Sequence, residues 1–361
     1  MRACDAVQAL IIKIAPIGDT IMSLPMVAAL RRRYPEARVI WIGSETTADL
    51  VRVAGDVEVV PVNEHRFGKG SLLERASEAL RVCRKLRSRR FDLVVVAHAN
   101  KRFRALTLAL TLTASVGEWR SFHSTRSKAR LWAVPGRYHG DEYVRLITGV
   151  DGPYAEPAEL PTTKLPLPDS MLSRLDGSTA NLVVLAPGGA WGFSGEQPLR
   201  RWPVESYRLL AIELLGRGFR VALTGAPSDD WARAAFAGLP VIDLIGRTSL
   251  TDQLALFGAC AAVVTHDSGP LHVAQLAGAL AVALFGPTNP AEYVRDQTRV
   301  RVIWGGAGLV CRPCHTNRGF APCADNRCIK GISVQEVACA VEEIIARNGF
   351  RPGAVAFESK C

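Results

Sequence analysis

Long apolar runs are scarce in this chain of 361 residues. The longest stretch without a charged residue, Ser268–Ala291, could span a bilayer by length alone, but it carries His272, Gln275, three glycines and three prolines. It reads as a buried helix followed by a buried strand. The amino-terminal residues Met-Arg-Ala-Cys-Asp lead into a short apolar segment broken by Lys13, with no long hydrophobic region and no small-residue cleavage site. No secretion signal is expected, and the nine cysteines are expected to be reduced, without structural disulfides. Low-complexity tracts and short internal repeats are also missing, which excludes fibrous and repeat architectures. Hydrophobic residues make up 48% and charged residues 22%, a composition that excludes disorder and suits about two folded domains.

Acidic charge is the other scarcity. Forty-four Lys and Arg against 34 Asp and Glu leave a net +10. Between Arg81 and Arg137 only two acids, Asp92 and Glu118, stand against fourteen bases, so this +12 segment exceeds the excess of the whole chain. Such a balance points to an anionic partner. Nucleic acid fits poorly, because the segment has few aromatics to stack bases and no recognisable nucleic-acid motif.

Short β-rich runs alternate with helical patterns. Ala9–Ile14 precedes a helix to Tyr34, Arg38–Gly43 a helix near Thr46–Val53, Val57–Val62 a helix near Ser71–Arg89, and Asp92–Ala97 follows. Strands apolar on successive residues, separated by helices, predict a parallel sheet covered on both faces. Residues Asp151–Pro168 carry five prolines and read as a linker, and the alternation then restarts. Its strands are Leu182–Ala186, Arg220–Thr224, Val241–Ile245, Ala262–Thr265 and Leu280–Phe285. Its helices are Val204–Leu215, Asp230–Ala237, Thr251–Cys260, Leu271–Ala277 and, at the end, Val334–Arg347. The expected class is α/β, with two doubly wound Rossmann-like domains, 1–165 and 166–361, facing a central cleft. Function is then sought in the loops after the strands.

Three such loops stand out. In Ala15-Pro16-Ile17-Gly18-Asp19, Gly18 permits a tight turn and Asp19 is either a helix cap or a carboxylate at the mouth of the cleft. In Ala186-Pro187-Gly188-Gly189-Ala190-Trp191, running on to Arg200-Arg201-Trp202-Pro203, backbone N–H groups and arginines suit a diphosphate. The alternatives there are an ordinary glycine turn and solvated arginines. Thr265-His266-Asp267-Ser268-Gly269-Pro270-Leu271-His272 again opens a helix, and Phe285-Gly286-Pro287-Thr288 follows the next strand. Here Ser268 and the N–H groups of Ser268 and Gly269 could hold an anion, or Asp267 could cap the helix with His272 a core histidine. Asp229 and Asp230, after Gly225, suit ribose hydroxyls or a helix cap.

Together these residues resemble glycosyltransferase family 9, the lipopolysaccharide heptosyltransferases, over about Leu10 to Ile345. The most specific segments are His266–Ala274 and Ala283–Thr288, supported by Ile17-Gly18-Asp19 with Pro25, Arg200-Arg201-Trp202-Pro203 and His139-Gly140-Asp141-Glu142-Tyr143. The resemblance implies the GT-B fold. It also implies inverting transfer of heptose from ADP-L-glycero-β-D-manno-heptose to the Kdo or heptose of the lipopolysaccharide core, with Asp19 as general base. It places the donor at Gly188, Gly189, Arg200, Arg201, Asp229 or Asp230, Asp267, Ser268, Gly269, His272, Gly286 and Thr288. Arg200 stands where the family usually has lysine, after an inserted Gly192–Pro198 stretch. On the acceptor side the candidates are Gly18, Lys101, Arg102, Arg104 and Arg120. The basic segment would meet lipid phosphates or an anionic headgroup surface, which places the protein on the cytoplasmic face of the inner membrane as a peripheral enzyme. The chemistry requires no cofactor. The rival readings are a protein heptosyltransferase, acting on autotransporters, and a non-catalytic nucleotide-sugar-binding protein.

Cys311-x2-Cys314-x8-Cys323-x4-Cys328 gathers four cysteines within eighteen residues. Such clustering suggests thiolate ligation of a structural Zn or Fe, although the spacing is not that of a standard zinc ribbon; reduced thiols without metal are the alternative. Similar clusters occur in part of the family, and in its autotransporter-modifying branch the loop holds iron.

Overall fold

The computed structural model describes residues 6–98, 110, 114–122, 136–148, 157–192, 195–316 and 319–349. The chain divides into two compact units, Met1–Pro161 and Thr162–Cys361. The break falls at 161/162 rather than 165/166 because the Thr163 N–H donates to Leu276 O (2.8 Å), tying the end of the proline-rich stretch to the second unit.

The first unit runs β1 (Gln8–Lys13), α1 (Ile17–Ser23), α2 (Pro25–Arg33), β2 (Arg38–Ser44), α3 (Ala48–Gly55), β3 (Glu58–Val62), α4 (Glu64–Lys69), α5 (Leu72–Leu86), β4 (Arg90–Val96), β5 (Ser115–Ser121) and α6 (His139–Thr148). Its sheet has the order β3-β2-β1-β4-β5 and is parallel throughout. Ala9 to Ile12 are fully buried, as a central strand with both faces covered requires. Leu10, Ile12, Ile40, Ile42, Val60, Phe91 and Val94 form the core on one face. The single helix expected before Tyr34 is two helices, because Pro25 lacks an N–H and stands at the first position of a new one. At the start of α5, Ser71 and Glu74 form a reciprocal capping box.

The second unit contains α7 (Asp169–Arg174), β6 (Leu182–Ala186), α8 (Val204–Gly216), β7 (Arg220–Leu223), β8 (Ile242–Asp243), α9 (Leu250–Ala259), β9 (Ala262–His266), α10 (Gly269–Ala277), β10 (Ala281–Phe285), β11 (Val300–Trp304), α11 (Arg327–Lys330) and α12 (Val334–Arg347). Its parallel sheet has the order β8-β7-β6-β9-β10-β11. The helix expected at 230–237 is a 3₁₀ segment, Pro227–Phe236, and β11 was not expected.

Both orders reverse beside the first strand of the unit, between β1 and β4 and between β6 and β9. In open parallel sheets that switch point is where a crevice opens at the carboxyl ends of the strands. The loops after β1 and β4 in one unit, and after β6 and β9 in the other, are therefore the places to look for chemistry. No helix among the described residues is long and apolar enough to cross a membrane.

Candidate active site

In the first unit the loop after β1 carries Gly18 and Asp19 into the first turn of α1. The Asp19 side chain is 43% exposed, and α1 has no side-chain cap. Asp19 stands in the first turn of α1, where a carboxylate also favours the helix N-terminus. Its Oδ1 accepts a hydrogen bond from the Tyr143 hydroxyl (3.0 Å) and lies 3.8 Å from Lys13 Nζ. Lys13 is buried, and its Nζ donates to the same hydroxyl (2.6 Å). Burial lowers the Lys13 pKa and the adjacent Asp19 carboxylate raises it, with burial the larger influence. Behind them, His98 accepts the Ile14 N–H through Nε2 (2.8 Å), and burial holds its pKa well below the ordinary histidine value. His98 is therefore neutral. Within the His139–Tyr143 motif, Asp141 accepts the Ala158 N–H (2.7 Å) and Glu142 pairs with Arg145, so both acids support the fold around Tyr143.

Of the acceptor-side candidates, Lys101, Arg102 and Arg104 lie outside the described residues. Arg120 is committed locally, bonding Glu118 (2.7 Å) and the Ile147 carbonyl.

In the second unit, the loop after β6 turns at Gly189 (φ +81°) and rests against the loop after β9: a Cβ at Gly189 would stand 3.3 Å from Ser268. Arg201 donates to the Gly189 carbonyl (2.7 and 3.1 Å), pairs with Glu196 and lies 5.2 Å from the Trp231 ring. Its positive charge is thus spent on shaping the glycine loop. Arg200 Nη1 lies 3.4 Å from Asp267 Oδ2, and its guanidinium sits 5.7 and 5.5 Å from the rings of Tyr293 and Phe320. Thr288 donates to the same Asp267 oxygen (2.7 Å). Asp267 is 1% exposed, and both its Oδ1 and Arg200 Nε are buried without a hydrogen-bond partner among the described residues. Buried polar atoms left open in this way suit a polar ligand. Ser268 stands at the N-cap of α10 in extended conformation, with its hydroxyl on the His266 carbonyl (3.3 Å). His272 is buried on α10, edge-on to Tyr293. His266 is neutral, its pKa pushed down to about 3 by burial and then by the neighbouring arginine charge, with Nδ1 3.1 Å from the Tyr207 hydroxyl.

Three donor candidates make contacts within the unit's own loops. Asp229 is buried, and its two oxygens accept the Gly189 and Ala226 N–H groups (2.9 and 2.8 Å). It braces the glycine loop, and Asp230 is the acid that faces solvent, paired with Arg233. Gly188 makes room for Asp229, since a Cβ there would fall 2.1 Å from its carboxyl carbon. Gly286 is a packing glycine, its Cβ direction filled by Ile329 and the Cys328 sulfur.

The cysteine loop does not fit the metal expected of it. Cys311 and Cys323 are exposed, Cys314 is half-buried and Cys328 is buried. Burial and, secondarily, the neighbouring thiols raise the pKa of Cys314 and Cys328. Yet no three His, Cys, Asp or Glu groups among the described residues converge as a metal set. The loop is instead tied to the turn after β10, with the Cys314 and His315 N–H groups both donating to Pro287 O (2.9 and 3.1 Å).

Sequence reasoning missed Lys13 and Tyr293 as parts of these clusters. The available signal for Lys13 was a lysine interrupting an otherwise apolar central strand.

Two parallel Rossmann-type units, each with a polar loop cluster at its switch point and one with an arginine against open buried polar atoms, define a two-domain glycosyltransferase of the GT-B class. The family model for glycosyltransferase family 9 (heptosyltransferase) matches residues 79–318, about two thirds of the chain, and the chain belongs to that family. Lipopolysaccharide heptosyltransferase 2 of Salmonella typhimurium is 27% identical over 306 residues, covering 80% of this chain and 85% of its own. Among solved structures, a family 9 glycosyltransferase from Veillonella parvula superposes with a TM-score of 0.74 at 18% identity, over 95% of this chain and 98% of that one. The ADP-heptose lipopolysaccharide heptosyltransferase II of E. coli gives 0.69 at 21% identity, over 95% and 100%. At these identities the structures speak for the fold.

Proposed function

We propose that the protein is an inverting heptosyltransferase of the lipopolysaccharide inner core, using ADP-L-glycero-β-D-manno-heptose as donor and a Kdo or heptose hydroxyl as acceptor. Family membership and the relatives' activities support the substrates. The observation that carries the mechanism is the half-exposed Asp19 carboxylate at the first unit's switch point, held by Tyr143 beside a buried lysine. Asp19 takes the proton of the acceptor hydroxyl as that oxygen bonds to the anomeric carbon. The bond from that carbon to the diphosphate oxygen breaks, and its electron pair leaves with ADP. Arg200, Ser268 and the N–H groups opening α10 receive the developing charge. No step passes through a metal.

We further propose that the protein binds the cytoplasmic surface of the inner membrane. Much of the basic segment is internally matched: Arg81 pairs with Glu78, Arg89 with Glu58, Arg120 with Glu118 and Arg137 with Glu142. Arg84, Lys85 and Arg87 are exposed and form no ion pair among the described residues. They share α5 and its end with Leu72 and Leu73, 81% and 82% exposed, and that combination suits anionic lipid.

The test is transfer from ADP-heptose to Kdo2-lipid A and to its mono-heptosylated form, with wild type and Asp19→Ala. Transfer to one acceptor that disappears in the variant is expected. An Asp19→Ala enzyme of wild-type rate removes the base assignment, and transfer to neither acceptor removes the substrate assignment.

A further inference from the structure

We propose that Lys13 and Tyr143 are the positioning residues of the Asp19 base, a reading that rests on Asp19 being that base. Lys13 ends β1, a central strand in which Ala9 to Ile12 are fully buried, where an ammonium group is costly unless compensated. Its compensation is local and specific: Tyr143 Oη at 2.6 Å, the Tyr143 ring face at 4.3 Å and Asp19 Oδ1 at 3.8 Å.

The hydrogen-bond inventory fixes the direction of the chain of contacts. A protonated ammonium donates and cannot accept, so the Tyr143 oxygen accepts from Lys13, and its single hydrogen goes to Asp19 Oδ1, 3.0 Å away. With a neutral amine the hydroxyl could turn and donate to nitrogen instead. The charge on Lys13 therefore orients the tyrosine hydroxyl, and the hydroxyl orients the carboxylate. Tyr143 itself has little freedom. It is 7% exposed on α6, and its ring meets Phe122 edge-on with centroids 6.0 Å apart. On the strand side, His98 fixes the backbone immediately after Lys13 through the Ile14 N–H.

Such positioning has two consequences for a base. The carboxylate is presented in one orientation, and the buried cation opposes protonated Asp19 and so favours return of the proton to water after each transfer.

The full-length enzyme is assayed for transfer from ADP-heptose to the acceptor that wild type uses, comparing Tyr143→Phe, Lys13→Met, Lys13→Arg and the Tyr143→Phe/Lys13→Met double variant, with Asp19→Ala in parallel. Tyr143→Phe and Lys13→Met are each expected to lower kcat by on the order of 10- to 100-fold while donor KM stays within about twofold. The double variant falls no further than either single one, as expected for groups acting as a unit, and Lys13→Arg recovers part of the rate. Thermal melting identifies any variant that has lost its fold, and the other single variant then decides. A folded Tyr143→Phe enzyme with wild-type kcat overturns the proposal, and Asp19→Ala inactivity in the same assay shows that the base assignment survives it. An active Asp19→Ala enzyme overturns both.

Discussion

Asp19 and Asp267 stand on opposite sides of their sheets' switch points, after β1 in one unit and after β9 in the other, and have opposite environments. Each follows a strand flanking its sheet's switch point, each leads into a helix, and each has a cation beside it. Asp19 is 43% exposed with its cation buried behind it, whereas Asp267 is 1% exposed and shares one oxygen between Arg200 and Thr288. Solvation separates their roles. A carboxylate that must exchange a proton with an incoming hydroxyl has to be reachable, while one that aims an arginine gains from being dry and fixed.

The largest expected effect breaks the first half of that comparison. Asp19→Ala lowers the transfer rate by about two to four decades while its melting temperature stays within about a degree of wild type, since little buried contact is lost. Asp267→Ala differs in losing stability as well as the aim of Arg200. Leaving Arg200 largely buried without its partner costs on the order of 3 kcal/mol, seen as a melting shift of several degrees and measured by calorimetry before any assay. Arg200→Ala is next: if Arg200 holds the donor diphosphate, ADP-heptose binding weakens by about 10- to 100-fold, and unchanged donor affinity by titration calorimetry removes it from the site.

The two units also share a buried neutral histidine, His98 after β4 and His266 at the end of β9. For both, the folded pKa lies below that of the unfolded chain, so the unfolded state binds more protons as pH falls below about 6.5. Stability contributed by these groups is full above that value and is lost progressively on acidification, for His266 down to about pH 3. A melting temperature that does not fall between pH 7.5 and pH 5 contradicts this account. The smallest effect concerns the surface: Leu72→Ser with Leu73→Ser reduces binding to anionic vesicles several-fold without altering transfer to a soluble acceptor, and raised salt weakens what remains.

What the sequence made legible follows from locality. β6 and α12 fall at their expected residues, and the second unit's central strands within one or two, because runs apolar on successive residues have few other places to go. β5 was not readable: Ser-Val-Gly-Glu-Trp-Arg-Ser is mostly half-exposed at a sheet edge, so its pattern carries neither period. The motif residues of the site were legible individually, as Asp19, Arg200 and Asp267 show. Their partners were not. Tyr143 reaches Asp19 across 124 positions, and Phe320 reaches Arg200 across 120, and no periodicity encodes such meetings. Asp229 takes the capping alternative, accepting the Ala226 N–H at the start of its 3₁₀ segment, and its second partner, the Gly189 N–H, lies forty residues earlier and was not readable.

The packing of Gly286 has a consequence for the cysteine loop. The Cys328 sulfur occupies the space that a side chain at 286 would need, and the Cys328 carbonyl lies where a Cβ at Gly305 would fall. That thiol acts as a spacer cut to fit beneath the turn that carries Thr288. An electrophile that reached Cys328 would leave an adduct with no room except within this turn, so poisoning at the thiol would be felt at the Thr288–Asp267–Arg200 contacts without any inhibitor entering the donor site.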